Sequence, residues 1–181
     1  MTYAERAQLD QLAKHKKIAH SLLLATAIAT VINIALLLGK SNFAIPYCSA
    51  ISFYLTFLGF FFDGYTPSTY TSTGMVMSFA VLAVWLVIWF MSRHSRKWLL
   101  AGMILVIADT LALVGFAFAF LENPSSCLLE GLLHLAVIYE IWQGIAAYPQ
   151  EAALRQQIAR QAETEAEAES PVETIAYSDE L

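Results

Sequence analysis

The 181-residue chain is 58% AVILMFWYC and only 14% charged, against roughly a quarter charged in ordinary soluble domains. A mean hydropathy of +0.58 and a formal net charge of −5 exclude a disordered chain, a collagen-like chain and a nucleic-acid binder, which needs basic surface. The apolar residues form long unbroken blocks, so the solvent they imply is a lipid bilayer.

A helix needs about 20 apolar residues to cross the ~30 Å hydrocarbon core. Residues 1–17 read as a cytoplasmic amphipathic extension of the first such block, 18–39. At ~22 residues that block is longer than the apolar part of a signal peptide, and no small-x-small cleavage site follows, so it reads as a retained anchor. Within it Ser21, Ala25, Ala29 and Asn33 repeat every four residues. This small-xxx-small pattern lets helix backbones approach closely, either within the chain or against another membrane subunit.

The next block, 44–62, is long enough to cross but carries Pro46, Ser49, Ser52, Thr56 and Gly59 among its aromatic residues. Ser49, Ser52, Thr56, Gly59 and Asp63 fall on one helical face, too small and polar to meet lipid tails. That face is a candidate packing surface or cavity wall. Pro46, lacking an N–H, fits the first turn of a helix and predicts a start near it.

Three further blocks follow at 74–92, 97–120 and 126–148. Lys and Arg favour the cytoplasmic side of short loops. If 44–62 enters and leaves on the outer side, Arg6, Lys14, Lys16, Lys17, Arg93, Arg96, Lys97, Arg155 and Arg160 lie inside and Lys40 outside, a ratio of nine to one. Five crossings give four to six. The fold expected is therefore an all-α polytopic membrane bundle, with four full crossings plus one membrane-dipping or interfacial helix. Five transmembrane helices are the alternative. Residues 18–148 form the bundle, and 149–181 an acidic cytoplasmic tail with eight acids and two bases. Pro149 is expected to open a short helix in that tail, and the chain beyond Arg160 to fray.

Ionisable groups at bilayer depth are expensive and face protein or a wet cavity. At 1.5 Å per residue, Asp109 is ~16 Å below the outer end of its helix, His134 ~12 Å and Glu140 ~21 Å. Asp109, His134 and Glu140 are thus a candidate intramembrane polar cluster, read either as a proton or ion relay or as buried groups fixing helix register. His20 is expected near Gln143 or Glu140. Glu130 and His134 share a face, but two ligands without HExxH or CxxC do not make a metal site. No catalytic constellation or cofactor motif occurs, and no cofactor is expected. Cys48 and Cys127 both fall near the outer surface, where a disulfide is one option and reduced thiols the other.

The stretches NFAIPYCSAISFYLTFLGFFFDG and HLAVIYEIWQGIAAY, with the pair Asp109–Thr110, resemble small multi-spanning bacterial membrane proteins of unassigned function. That resemblance implies a bacterial plasma membrane and no chemistry. The Ala25-xxx-Ala29 pair is also similar to the first helix of vitamin-transporter substrate-binding components, which dock a partner through such a stripe. Those are six-helix bundles, and this chain cannot supply six. The functional expectation is a non-enzymatic accessory subunit or small-solute or ion-handling component. The competing class is a membrane enzyme or redox protein using Asp109, His134 and Glu140 or the two cysteines.

Overall fold

A computed structural model describes residues 1–39, 45, 47–62, 72–120 and 127–169. Among these the chain is all-α, with α1 Tyr3–Leu38, α2 Ala50–Phe62, α3 Ser72–Ser92, α4 Arg96–Phe120 and α5 Leu128–Glu169. Four of them, α1, α3, α4 and α5, are long and apolar enough to cross a membrane. The fifth, α2, has 13 residues and reaches only about 20 Å.

Local signals explain the ends. At the start of α1, Thr2 and Glu5 form a reciprocal capping box: Glu5 N–H donates to Thr2 Oγ1 and Thr2 N–H to Glu5 Oε2. Ser95 caps α4, accepting from Lys97 N–H at 3.2 Å, and the three-residue break Arg93–Ser95 makes α3 and α4 antiparallel neighbours. The helix starting near Pro46 is not found. α2 begins at Ala50, because Ser49 occupies the cap and the acceptors for the next two N–H groups lie there, as described below.

The bundle exposes apolar side chains and encloses its polar groups in an otherwise apolar interior. Phe118, Leu111, Val76 and Leu132 are each more than 60% exposed, whereas Asp109, His134, Thr26, Thr30, Asn33, Ser49, Ser52, Thr56 and Ser78 are buried. In water this arrangement would place a large apolar surface against solvent; against lipid it is the expected one. A cluster of apolar side chains forms the core, with Leu23, Trp85, Leu99, Val106 and Ile141 almost fully enclosed.

α1 has 36 residues and α5 has 42, about 54 and 63 Å long at 1.5 Å per residue. Both outrun a ~30 Å hydrocarbon layer. Their polar halves pair as a stalk with its own small core of Leu12, Ala147 and Leu154, flanked by Leu9 and Ile158. Lys16 pairs with Glu151, which Arg155 also holds at 2.8 Å. The Lys16 hydrogen bond, followed by that of Arg155, keeps the Glu151 carboxyl below its ordinary value. A depressed carboxyl adds stability above that ordinary value and loses it on acidification.

Two tail expectations are corrected by α5. It runs through Pro149 without a break and continues past Arg160 to Glu169. The proline removes one N–H bond, but packing of Ala147 and Leu154 against α1 on either side of it holds the chain helical.

The stripe Ser21, Ala25, Ala29 does not pack within the chain. Ser21 and Ala25 are exposed and Ala29 is half-buried, while Asn33 at its end is enclosed. Steps of four advance 400°, so the stripe rotates about 40° per step and only its last member reaches the interior. The packing face of α1 is instead Ala19, Leu23, Thr26, Ala27 and Thr30.

α1 and α5 approach closely at Gly144, where an added Cβ would lie 2.5 Å from Ala19 Cβ. An added Cβ at Gly131 meets nothing within 4 Å. Gly144→Ala should therefore lower unfolding stability in detergent by about 1–3 kcal/mol through overlap. Gly131→Ala should leave it unchanged or raise it by up to about 1 kcal/mol through helix propensity. Equal effects of the two changes would contradict the packing described.

Candidate functional site

The residues preceding α2 return along α1. Asn33 holds Ile45 at both its backbone groups: Nδ2 donates to the Ile45 carbonyl at 2.9 Å and Oδ1 accepts from its N–H at 2.7 Å. Tyr47 shares a 2.5 Å hydroxyl bond with Thr26. Thr30 Oγ1 accepts from Ser49 N–H at 2.7 Å while donating to the Thr26 carbonyl. Buried backbone away from water must find partners, and here the side chains of α1 supply them.

α2 then starts inside the bundle, against the middle of α4. The first N–H groups of a helix have no intrahelical acceptor. Asp109 supplies it: Ala50 N–H donates to Oδ2 and Ile51 N–H to Oδ1, each at 2.9 Å. Ser49 Oγ also donates to Oδ1, at 2.8 Å. In turn Ser49 Oγ accepts from Trp85 Nε1 at 3.3 Å.

The fourth partner of Asp109 is His134, whose Nε2 lies 3.2 Å from Oδ2 with both side chains about 1% exposed. The other ring nitrogen, Nδ1, lies 2.9 Å from the Glu130 carbonyl oxygen. Both nitrogens thus face oxygens that accept, a geometry satisfied by a proton on each. Tyr47 closes the pocket edge-on to the imidazole, ring centroids 5.2 Å apart. The negative carboxylate is balanced by the imidazolium and by the positive end of the α2 dipole.

Further along, α2 lays its small face on α3. Thr56 shares a 2.6 Å hydroxyl bond with Ser78 and donates to the Ser52 carbonyl at 3.0 Å. The single proton of the Ser78 hydroxyl is shared between Thr56 Oγ1 and the same carbonyl, both within its reach. Of the candidate face, Ser49, Ser52 and Thr56 are thus enclosed by protein. The surroundings of Gly59, and Pro46 and Asp63 themselves, lie outside the described residues.

Asp109 and His134 are brought together; Glu140 is not. It lies six residues beyond His134, a rotation of 240° and about 9 Å along the helix, and makes no hydrogen bond or ion pair among the described residues. Nor does His20 reach Gln143 or Glu140: its Nδ1 lies 3.0 Å from Ser92 Oγ on α3. Cys48 and Cys127 are free thiols, and Cys48 Sγ lies 4.0 Å from Glu130 Oε1. No group of three or more His, Cys, Asp or Glu among the described residues could hold a metal. Sequence reasoning missed Thr26, Thr30, Tyr47 and Trp85. Only the four-residue spacing of the two threonines signalled a polar ridge.

No family model, curated protein or solved structure matches the chain.

Asp109→Leu strands two backbone N–H groups and an imidazole, so its unfolding stability should fall by about 3–5 kcal/mol. His134→Leu leaves Asp109 three donors and should cost less. Added to Asp109→Leu, it should recover part of the loss, since no imidazolium remains unpaired. Strictly additive effects in detergent unfolding would mean that the two side chains do not interact.

Proposed function

We propose that this protein is a multi-pass protein of the bacterial plasma membrane, with both termini cytoplasmic, acting as a non-enzymatic accessory subunit of another membrane protein. The observation that carries the reading is the outward stripe Ser21, Ala25 and Ala29 on α1. In lipid, small residues gain nothing from burial by tails, but they let a second helix approach closely enough for dispersion and Cα–H contacts. The bacterial membrane assignment rests on the resemblance of the segments around Pro46 and Glu140.

The pair Asp109–His134 supports a structural rather than catalytic role for itself. Catalysis requires a group that can reach substrate, and the carboxylate here is engaged by four donors of its own chain. A second reading, ion handling, uses the same pair, because Glu130 lies one turn along α5 and could continue a proton path.

The nine-to-one distribution of Lys and Arg supports cytoplasmic termini. Single cysteines at Gln11 and Gln161 should label from the cytoplasm, and one at Thr69 from outside. Labelling of the two ends from opposite sides would restore five crossings.

Docking is tested in native membranes. The protein should migrate on native gels in a complex larger than the purified protein, and Ala25→Leu should dissolve that complex at least tenfold more readily. The unfolding stability of purified Ala25→Leu should stay within about 0.5 kcal/mol of the parent, because the side chain points outward. A mobility equal to that of the purified protein, or a complex indifferent to Ala25→Leu, rejects docking through this stripe. A proton flux in proteoliposomes that Asp109→Asn abolishes would favour ion handling instead.

A further inference from the structure

The apolar half of α5 carries a carboxylate that the bundle does not use. Asp109 is held by four donors of its own chain, and Glu130 has Cys48 Sγ at 4.0 Å. Glu140 is half-buried and makes no hydrogen bond or ion pair among the described residues. Its neighbours Tyr139 and Trp142 are 59% and 56% exposed, so the open side of Glu140 looks towards lipid. An ionisable group at bilayer depth is expensive and is kept where a partner or a pathway uses it.

The helix register says which flank Glu140 borders. The pairs Lys16–Glu151 and Ala19–Gly144 show that α1 and α5 run antiparallel. Glu140, four residues before Gly144, is then level with Leu23 of α1, between Ser21 and Ala25. On α5 it is rotated about 40° from Gly144, which faces α1, towards Gln143 at about 100°. Gln143 shares a cleft with His15 of α1, which marks the flank. On α1, Ala25 and Ala29 follow His15 by ten and fourteen residues, about 80° and 40° short of whole turns. The small stripe and the carboxylate therefore border the same flank of the helix pair.

The carboxylate selects the chemistry. It only accepts, and in a medium of low dielectric a cation is its strongest partner. Lys16 is engaged by Glu151, and Lys17 lies six residues, about 9 Å, below the level of Glu140. A lipid headgroup amine stays at that surface too. A second copy of this chain cannot supply the charge, because residues 18–39, 74–92, 98–120 and 126–148 contain no Lys or Arg. A foreign helix with one basic residue at this depth meets both features: its backbone lies on Ala25 and Ala29, and its basic side chain reaches Glu140 with the aliphatic stem in lipid.

We propose that Glu140 anchors, by an ion pair, a transmembrane helix of a different protein that carries a Lys or Arg about 9 Å inside its cytoplasmic end. This names the chemistry of the partner in the docking reading above and rests on that reading. The test uses the full chain in liposomes with synthetic Ala/Leu transmembrane peptides of about 21 residues. They differ only at one position about six residues from one end, occupied by Lys, Leu or Glu. Energy transfer between labelled protein and labelled peptide should saturate with the Lys peptide, at a concentration at least tenfold lower than with the Leu peptide. Glu140→Gln keeps the shape and removes the charge; it should erase this preference with an unchanged unfolding temperature. Glu140→Lys should transfer the preference to the Glu peptide. In native membranes Glu140→Gln should dissolve the complex at least tenfold more readily. A complex dissolved by Ala25→Leu but indifferent to Glu140→Gln would keep the docking and overturn the ion pair. No saturable transfer with the Lys peptide, equal binding of the Leu peptide, or a Lys preference that survives Glu140→Gln would overturn it whether or not a native complex is seen. A lowered unfolding temperature of purified Glu140→Gln would do the same, since the carboxylate would then be held within its own chain.

Discussion

A helix that begins inside an apolar bundle must find acceptors for its first N–H groups there, and Asp109 is that acceptor for α2. Everything around it follows from this need. The carboxylate carries a charge that the interior tolerates only when it is fully hydrogen-bonded and balanced. His134 and the α2 dipole provide the balance, and the Glu130 carbonyl fixes the imidazole so that Nε2 points at Asp109. Ser49 and Thr30 then tie the incoming backbone to the same point.

The return segment obeys the same constraint by other means. Irregular backbone at bilayer depth persists only where protein satisfies it. Asn33 does so by presenting one donor and one acceptor to the two backbone groups of Ile45. A hydrophobic side chain at any of these buried positions, Thr26, Thr30 or Asn33, would remove a partner of the segment. Thr30 and Asn33 of α1 are therefore explained by the backbone they face, and Thr26 by the Tyr47 hydroxyl.

The fold class was legible because lipid imposes long apolar blocks, and the distribution of Lys and Arg set 44–62 apart from the other four, in keeping with an α2 of only 13 residues. Asp109 and His134 stood out because ionisable groups are rare in such blocks, and matching depths put them level. Depth without rotation misplaced Glu140, and the four-residue repeat of Ser21, Ala25 and Ala29 left open which way the stripe faces, because steps of about 400° drift around the helix. The start of α2 at Ala50 could not be read locally. Pro46 is a good first-turn residue, but the acceptor that decides where N–H groups can begin a helix comes from α4, far away in the chain. Likewise Pro149 reads as a breaker until the facing leucine and alanine contacts are known.

The contact between Ala50 and Asp109 joins residues 59 apart in sequence. When α2 leaves the ribosome, α4 has not been made, and the buried N–H groups of Ala50 and Ile51 have no acceptor. Ile45 and Ser49 can already lean on α1, but the helix they lead into has no resting place at depth. The order of synthesis is therefore not the order of assembly. α2 must wait at the membrane surface, where its aromatic residues and water both suit it, and move inward only after α4 has inserted.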